Sequence, residues 1–467
     1  MEAKSSVLRM DSFMPKILTP EAWAHQQFGD CELGDVRRTR RLVKFAQQVC
    51  HKPSQNTPMQ TQTWGDCKAA YRLMSREEVT FEAITSPHYQ LTRDQSPEVC
   101  LLLNDLTEID FGYDSVAQGL APVGNGSCGF LMQNSLAVKT DGRVIGLAGQ
   151  KLRHRKPKPK NETRTERLKR DRESLLWGQL VAQVGPPPEG VQWINVCDRG
   201  ADDFEFWCRM AQQKHDWVVR ASKLQRSVLQ DGESLSLREK LDVTPFDQQY
   251  YVLNYRSKKH GARTATMHVR FCEITVQAPK LRSPWLKEQA IPTLKMFVVE
   301  AVEENPPQGV PPLRWVLLSS IPVKSFSDAW TIIEYYEKRW IVEEFHKALK
   351  TGCRIEERQY RTSDRLEAIA GLLSIVAVRL LELRSASKTT PDRAAHDLIP
   401  TLWISALKAL RPKAKVASVG DFYRQLAGLG GHLLRKSDGD PGWLTIWRGF
   451  STLQTAVTTI ANYEKCG

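Results

Sequence analysis

At 467 residues the chain is longer than one simple core closes, so two or three folding units are expected. A hydrophobic content of 41% and an aromatic content of 8% belong to a globular protein and exclude a disordered one. The 66 Lys and Arg against 53 Asp and Glu leave a net charge of +13, which points to a polyanionic partner, nucleic acid first, because such a field concentrates phosphates.

Membrane insertion is not expected, since the longest apolar run, Ile369 to Val378, stops at Arg379 and is too short for a bilayer. Met1 to Ser6 lacks the apolar core of a secretory signal, so the protein is expected in the cytoplasm. The ten scattered cysteines, with no Cys-x-x-Cys pair, fit reduced thiols there and predict no zinc site.

The first ninety or so residues are polar and helix-patterned. Leu42, Phe45, Ala46 and Val49 recur at helical spacing, while Arg37, Arg38, Arg40, Arg41 and Lys44 supply positive charge. That face either meets phosphates or is simply solvated. Lys68 to Met74 continues the same small domain.

From Glu98 the pattern turns to β. Val99 to Leu103 is a continuous apolar run, as expected of a strand buried on both faces, and it predicts Asp105 at the strand's end. Strand-like runs follow at Leu131 to Val138 and Arg143 to Leu147. Between Lys151 and Arg172 eleven cations face three acids, and the prolines there predict an exposed loop, DNA contact or solvated, leading into a helix with Leu175, Leu176 and Trp177. Val191 to Cys197 is a second apolar run ending in an aspartate, Asp198, with a helix expected from Asp202.

Alternating segments at Thr264 to Val276, Lys295 to Val299 and Trp315 to Leu318 predict antiparallel strands with one wet face. The run Tyr336 to Lys350, free of Gly and Pro, predicts one helix, and the spacings of 3, 4 and 7 put Tyr336, Arg339, Glu343 and Lys350 along one face. A long helix follows from Asp364 to Arg384, with Asp364 and Glu367 as its capping pair, then a polar linker near Ser387 to Asp392 and a helical tail.

Two aspartates after apolar strands and one helical glutamate are the ligands that a two-magnesium phosphoryl-transfer site requires, because hard cations prefer carboxylate oxygens. Asp105, Asp198 and Glu343 are preferred over Glu108, Asp110, Asp202, Asp203 and Glu344, since each of the two aspartates directly follows a buried run. Their order suits an α/β fold with an RNase H-like core, a mixed sheet flanked by helices, interrupted by a β-rich insertion before the glutamate helix. The expected divisions are 1–90, helical and DNA-binding; 91–386, catalytic, with the insertion at about 225–320; and 387–467, helical.

Tyr336, Arg339, Glu343 and Lys350 also match the Y-(2)-R-(3)-E-(6)-K signature of the bacterial DDE transposases of the insertion-sequence-four group, which the chain resembles from Leu33-Gly34-Asp35 through Val196-Cys197-Asp198-Arg199 and Val218-Val219-Arg220 to Leu429-Gly430-Gly431. The resemblance implies a cut-and-paste transposase that binds inverted transposon ends, cleaves through a hairpin and joins 3' hydroxyls to target DNA. It implies a homodimer in the synaptic complex, dimerising through the C-terminal helices, and a bacterial, nucleoid-associated protein. Asp105, Asp198 and Glu343 would hold two Mg²⁺, for which Mn²⁺ substitutes. Tyr336, Arg339 and Lys350 would grip phosphates, with Arg37, Arg38, Arg41 and Arg220 as further DNA contacts, and Trp315 would receive a flipped base; read from its strand alone, Trp315 is a core residue. Two positions depart from the family, Leu106 where a close member has a hydroxyl residue and Ile341 where it has a basic one. The other readings of the same residues are a DNA-binding regulator that does not cut, and an RNase H-like nuclease without strand transfer.

Overall fold

The computed structural model describes residues 17–466 apart from 125, 158, 231, 258–260, 436, 437 and 440. It divides into two compact units, one of residues 17–30, 34–73 and 382–466, the other of 31–33 and 74–381. The helical head and helical tail therefore share one unit, where the sequence suggests separate first and last domains. Among the described residues no helix is long and apolar enough to cross a membrane.

In the first unit, Asp35 caps the helix Val36–His51 by accepting from the Arg37 amide at 2.8 Å. Leu42, Phe45, Ala46 and Val49 are buried, as their spacing predicts. Asp66, on the helix Trp64–Leu73 and only 7% exposed, takes Arg41 Nη1 and Lys44 Nζ at 2.8 Å each and Gln48 Nε2 at 3.3 Å. The Lys44 bond, foremost, holds its carboxyl below the usual range. The tail joins through the bond from the Ile17 amide to the Leu398 carbonyl, 2.8 Å. Its helices Val419–Leu429 and Trp443–Cys466 approach so closely that a Cβ at Gly449 would meet the Leu426 carbonyl oxygen at 1.9 Å.

The second unit is organised by a twelve-stranded mixed sheet. Its strands are β1 (Val99–Asp110), β2 (Ala121–Val123), β3 (Ser127–Lys139), β4 (Val144–Arg153), β5 (Gln192–Cys197), β6 (Asp216–Arg220), β7 (Ser227–Gln230), β8 (Glu233–Ser236), β9 (Tyr250–Ser257), β10 (Gly261–Gln277), β11 (Thr293–Glu304) and β12 (Arg314–Ser319). β1 lies between antiparallel β3 and parallel β5, which explains its apolar run, and β6 extends the parallel part. β12 then pairs antiparallel with β6, so the expected insertion continues the same sheet through β11 and β10.

Three local expectations need correction. β1 runs on to Asp110, so Asp105 is internal to a strand, opposite Asn134 on β3. The long helix starts at Ser363 and ends at Thr389, with Glu367 bonded to Ser363 Oγ at 2.6 Å and to His154 Nε2 at 2.7 Å; Asp364 lies inside it, and the expected linker shrinks accordingly. The span from Tyr336 to Lys350 is not one helix but the end of one, a second from Trp340 to Lys347 and a π segment from Ala348.

Asp66→Asn should destabilise the full chain by about 1–3 kcal/mol, less than a fully buried ion pair costs because Arg41 and Lys44 can be solvated. The shift of the urea midpoint at pH 7 checks this, and the difference should shrink at acid pH, where the wild-type carboxylate loses its charge.

Candidate active site

The site begins with the register of β1 and β5. Their parallel pairing ends at Asn104 opposite Cys197, and the next residues are Asp105 and Asp198. Buried Asn104 locks that register by donating from Nδ2 to Asn195 Oδ1 and to the Leu102 carbonyl, 2.9 Å each. Asp105 Oδ1 accepts from the Leu106 amide at 3.0 Å, and Asp198 Oδ1 accepts from the Gly200 amide at 2.8 Å, capping the turn Arg199–Ala201.

Glu343 comes from the helix Trp340–Lys347. Arg339 Nη2 donates to its Oε1 at 2.7 Å, and Arg339 Nη1 stands 4.0 Å from Asp105 Oδ2. His346, one turn beyond Glu343, places Nδ1 3.9 Å from the same Oδ2, while its Nε2 lies 3.0 Å from Asn134 Nδ2. Burial pushes this imidazole down to about 3, so it is neutral at physiological pH.

Asp105 feels both of the other carboxylates. Burial, then the charge of Asp198 and less strongly that of Glu343, pushes Asp105 up to about 6 against the opposing pull of Arg339 and the Leu106 amide. Repelling hard oxygens of this kind fit a divalent cation such as Mg²⁺. Among the described residues, though, no three His, Cys, Asp or Glu side chains stand at the spacing that holds a metal ion. The Arg339 guanidinium lies between Asp105 and Glu343 and supplies the neutralising charge.

The competing acids each have a structural partner. Glu108 pairs with Arg155 at 2.7 Å and Asp110 accepts from Ser127 Oγ at 2.7 Å. Asp202 accepts from the Ser222 and Lys223 amides and pairs with Arg226. Asp203 caps the helix Phe204–Gln212, and Glu344 pairs with Lys347 at 2.9 Å.

The signature residues do not line one straight face. The helix Phe326–Glu337 ends before Arg339, and the chain turns through the bonds Arg339 N to Tyr336 O, 3.0 Å, and Val342 N to Arg339 O, 3.2 Å, three residues back in place of four. Beyond Lys347 the backbone widens into a π segment, Ala348–Gly352, which shifts Lys350 from its ideal position and leaves its Nζ 3.0 Å from Glu356. Tyr336 is buried, its ring edge-on to Trp315 at 5.7 Å.

Beside Arg339 opens a groove of about 730 Å³. Trp315, Tyr336, Trp340 and Tyr255 form its aromatic lining, and Arg199, Arg220, Arg263 and Arg314 its cationic one. Two of these arginines are anchored by nearly inaccessible acids of β11, Arg263 by Glu303 at 2.7 Å and Arg314 by Glu300. Trp315 is thus a half-buried groove residue and not a core one.

Of the basic residues expected on the helix Val36–His51, Arg37 is exposed and Arg38 half-buried, but Arg41 is committed to Asp66. Within Lys151 to Arg172, Arg153 is tied to Asp171 and Arg155 to Glu173 and Glu108. Sequence reasoning missed His346, Asn134 and the groove arginines 199, 263 and 314. Only His346 carried a signal, three residues after Glu343 and so on its face.

Because Asp105 is raised, its charge opposes folding above pH 6, and the penalty vanishes below the ordinary carboxylate range near 4. In metal-free buffer Asp105→Asn should therefore stabilise the protein by about 1–3 kcal/mol at pH 7.5 and by almost nothing at pH 4, read as the difference in urea midpoints.

Residues 20–79 match the family described as transposase DNA-binding, and residues 193–379 match the transposase DDE domain. Among solved structures, the chain is similar to a piggyBac transposase in a synaptic complex with hairpin DNA, at a TM-score of 0.40 and 9% identity over 89% of this chain and 80% of that one, a likeness too distant to fix fold or activity. A transposase DNA-binding domain followed in one chain by a transposase DDE domain makes this protein a DDE transposase.

Proposed function

We propose that the chain is a cut-and-paste transposase of the insertion-sequence-four group, similar to the transposase of transposon five, with an RNase H-like core. The supporting observation is the trio Asp105, Asp198 and Glu343, in which the charges of Asp198, after the adjacent parallel strand, and of Glu343, on a helix, both act on Asp105. The strand order β4-β3-β1-β5-β6, with β1, β5 and β6 parallel, agrees with such a core.

Asp105, Asp198 and Glu343 would hold Mg²⁺, with Mn²⁺ as a substitute. The chemistry supplied by that bound ion pair is activation of water or a 3' hydroxyl and stabilisation of the leaving oxygen. Arg339, now bonded to Glu343, is placed to exchange that carboxylate for a phosphate, to which its forked guanidinium is well matched. Tyr336 and Lys350 complete the phosphate grip. The arginine-lined groove takes the DNA strand, and Trp315 stacks a base turned out of the duplex as the hairpin forms. Arg37 and Arg38 contact the transposon end, and two copies joined through their C-terminal helices act in the synaptic complex.

Purified protein, Mg²⁺ and DNA bearing the native flanking inverted repeats test the reading. Strand joining supports it; cleavage alone indicates a nuclease, and a mobility shift alone a regulator. Glu343→Ala should abolish cleavage while end binding persists, because the groove keeps its cations; retained cutting would refute the assignment. Trp315→Ala should leave first-strand nicking nearly intact and reduce hairpin product on the order of tenfold, the loss of one base–aromatic stack, as scored on denaturing gels.

A further inference from the structure

A buried chain of side chains leads from the surface helix Phe81–Asp94 to Asp105. Tyr89 Oη donates to Gln150 Oε1 at 3.3 Å, and Gln150 Nε2 donates to Asn134 Oδ1 at 2.6 Å and to Ser374 Oγ at 3.2 Å. Asn134 Nδ2 reaches the Met132 carbonyl at 3.2 Å and His346 Nε2 at 3.0 Å. Gln150, Asn134 and Ser374 are at most 1% exposed, so none can trade these partners for solvent.

The polarity of this chain follows from one group. A backbone carbonyl only accepts, so the atom of Asn134 facing Met132 O must be its NH₂. That NH₂ also faces His346 Nε2, which must then be the ring's lone-pair nitrogen. The single ring proton therefore sits on Nδ1, the atom turned toward Asp105 Oδ2. At 3.9 Å this is not yet a hydrogen bond. Asp105 Oδ1 is already fixed by the Leu106 amide, which leaves Oδ2 with Arg339 Nη1 at 4.0 Å on one side and His346 on the other. A plain core histidine would have both nitrogens satisfied by the interior; here one is spent on Asn134 and the other aims at the acid.

We infer that His346 is a positioning residue for Asp105: held by Asn134 with its Nδ1 proton forward, it confines the free carboxylate oxygen to the direction from which a divalent ion is bound. Such outer groups orient the ligand without touching the metal, and their loss costs on the order of tenfold or more in metal affinity. The inference rests on the reading of Asp105 as a metal ligand.

The test is Mn²⁺ binding to the purified full chain without DNA, followed by the electron paramagnetic resonance of the free ion, for wild type, His346→Ala, His346→Asn and His346→Gln. An Asn amide nitrogen can replace Nδ1, whereas the longer Gln places its amide near Nε2. Ala and Gln should weaken Mn²⁺ binding about tenfold, Asn should keep most of the affinity, and all should shift DNA ends as wild type does. If His346→Ala does not fold, Asn against Gln gives the same contrast. Equal Mn²⁺ affinity in wild type and variants, or Asn as poor as Gln, overturns the role of His346 alone. A wild type that binds no Mn²⁺ overturns the metal reading and this inference with it.

Discussion

The parallel register of β1 and β5 is the constraint on which the rest depends. Two buried asparagines, Asn104 one residue before Asp105 and Asn195 three before Asp198, clamp it, and Asp105 and Asp198 then have to leave adjacent strands side by side. Each carboxylate also accepts from a local backbone amide, Asp105 from Leu106 and Asp198 from Gly200. The fold thus holds two like charges together and a third, on Glu343, close by. Proteins tolerate that only where something positive is supplied. Arg339 supplies it here, from the turn that breaks the predicted helix, so the break and the acid cluster belong to one solution.

The same economy of charge shapes the groove. Glu300 and Glu303 are almost fully enclosed on β11, and each is neutralised by arginines whose stems they fix: Arg270 and Arg314 on Glu300, Arg263 on Glu303. Buried acids there do not weaken the positive field so much as set the direction of the guanidinium planes that face the opening. The excess of basic residues in the sequence is therefore only partly available to a polyanion. Arg41, Arg153 and Arg155 are occupied within the protein, whereas Arg199 and Arg37 are exposed.

How much of this was legible in the sequence depends on range. The apolar run Val99–Leu103 identified a central strand because burial on both faces leaves a continuous signature, and the alternation around Thr264–Val276 identified a sheet with one wet face for the converse reason. The extension of β1 past Asp105 was hidden, since five of the seven residues 104–110 are polar and they pair only because β3 is long enough to meet them. The π segment at Ala348–Gly352 leaves no compositional mark. Asp66 as the partner of Arg41, and the union of head and tail helices, are contacts between distant segments, which periodicity does not encode. His346 was visible as a spacing, but its orientation depends on Asn134, more than 200 positions earlier.

The continuation of the sheet beyond β6 has a functional consequence. Had the residues between β6 and the glutamate helix folded as a separate appendage, Trp315 would have no fixed relation to the acids. Because β12 pairs directly with β6, its first residues Arg314 and Trp315 are carried on the same rigid ladder that sets Asp198 two strands away, and Tyr336 closes against the indole. On the proposed reading, an aromatic surface that receives a base has to keep its distance from the scissile phosphate to a fraction of an ångström, and hydrogen-bonded strands hold such distances better than a hinged domain does. The insertion lies in the sheet, and the acids and the groove inherit a common frame from it.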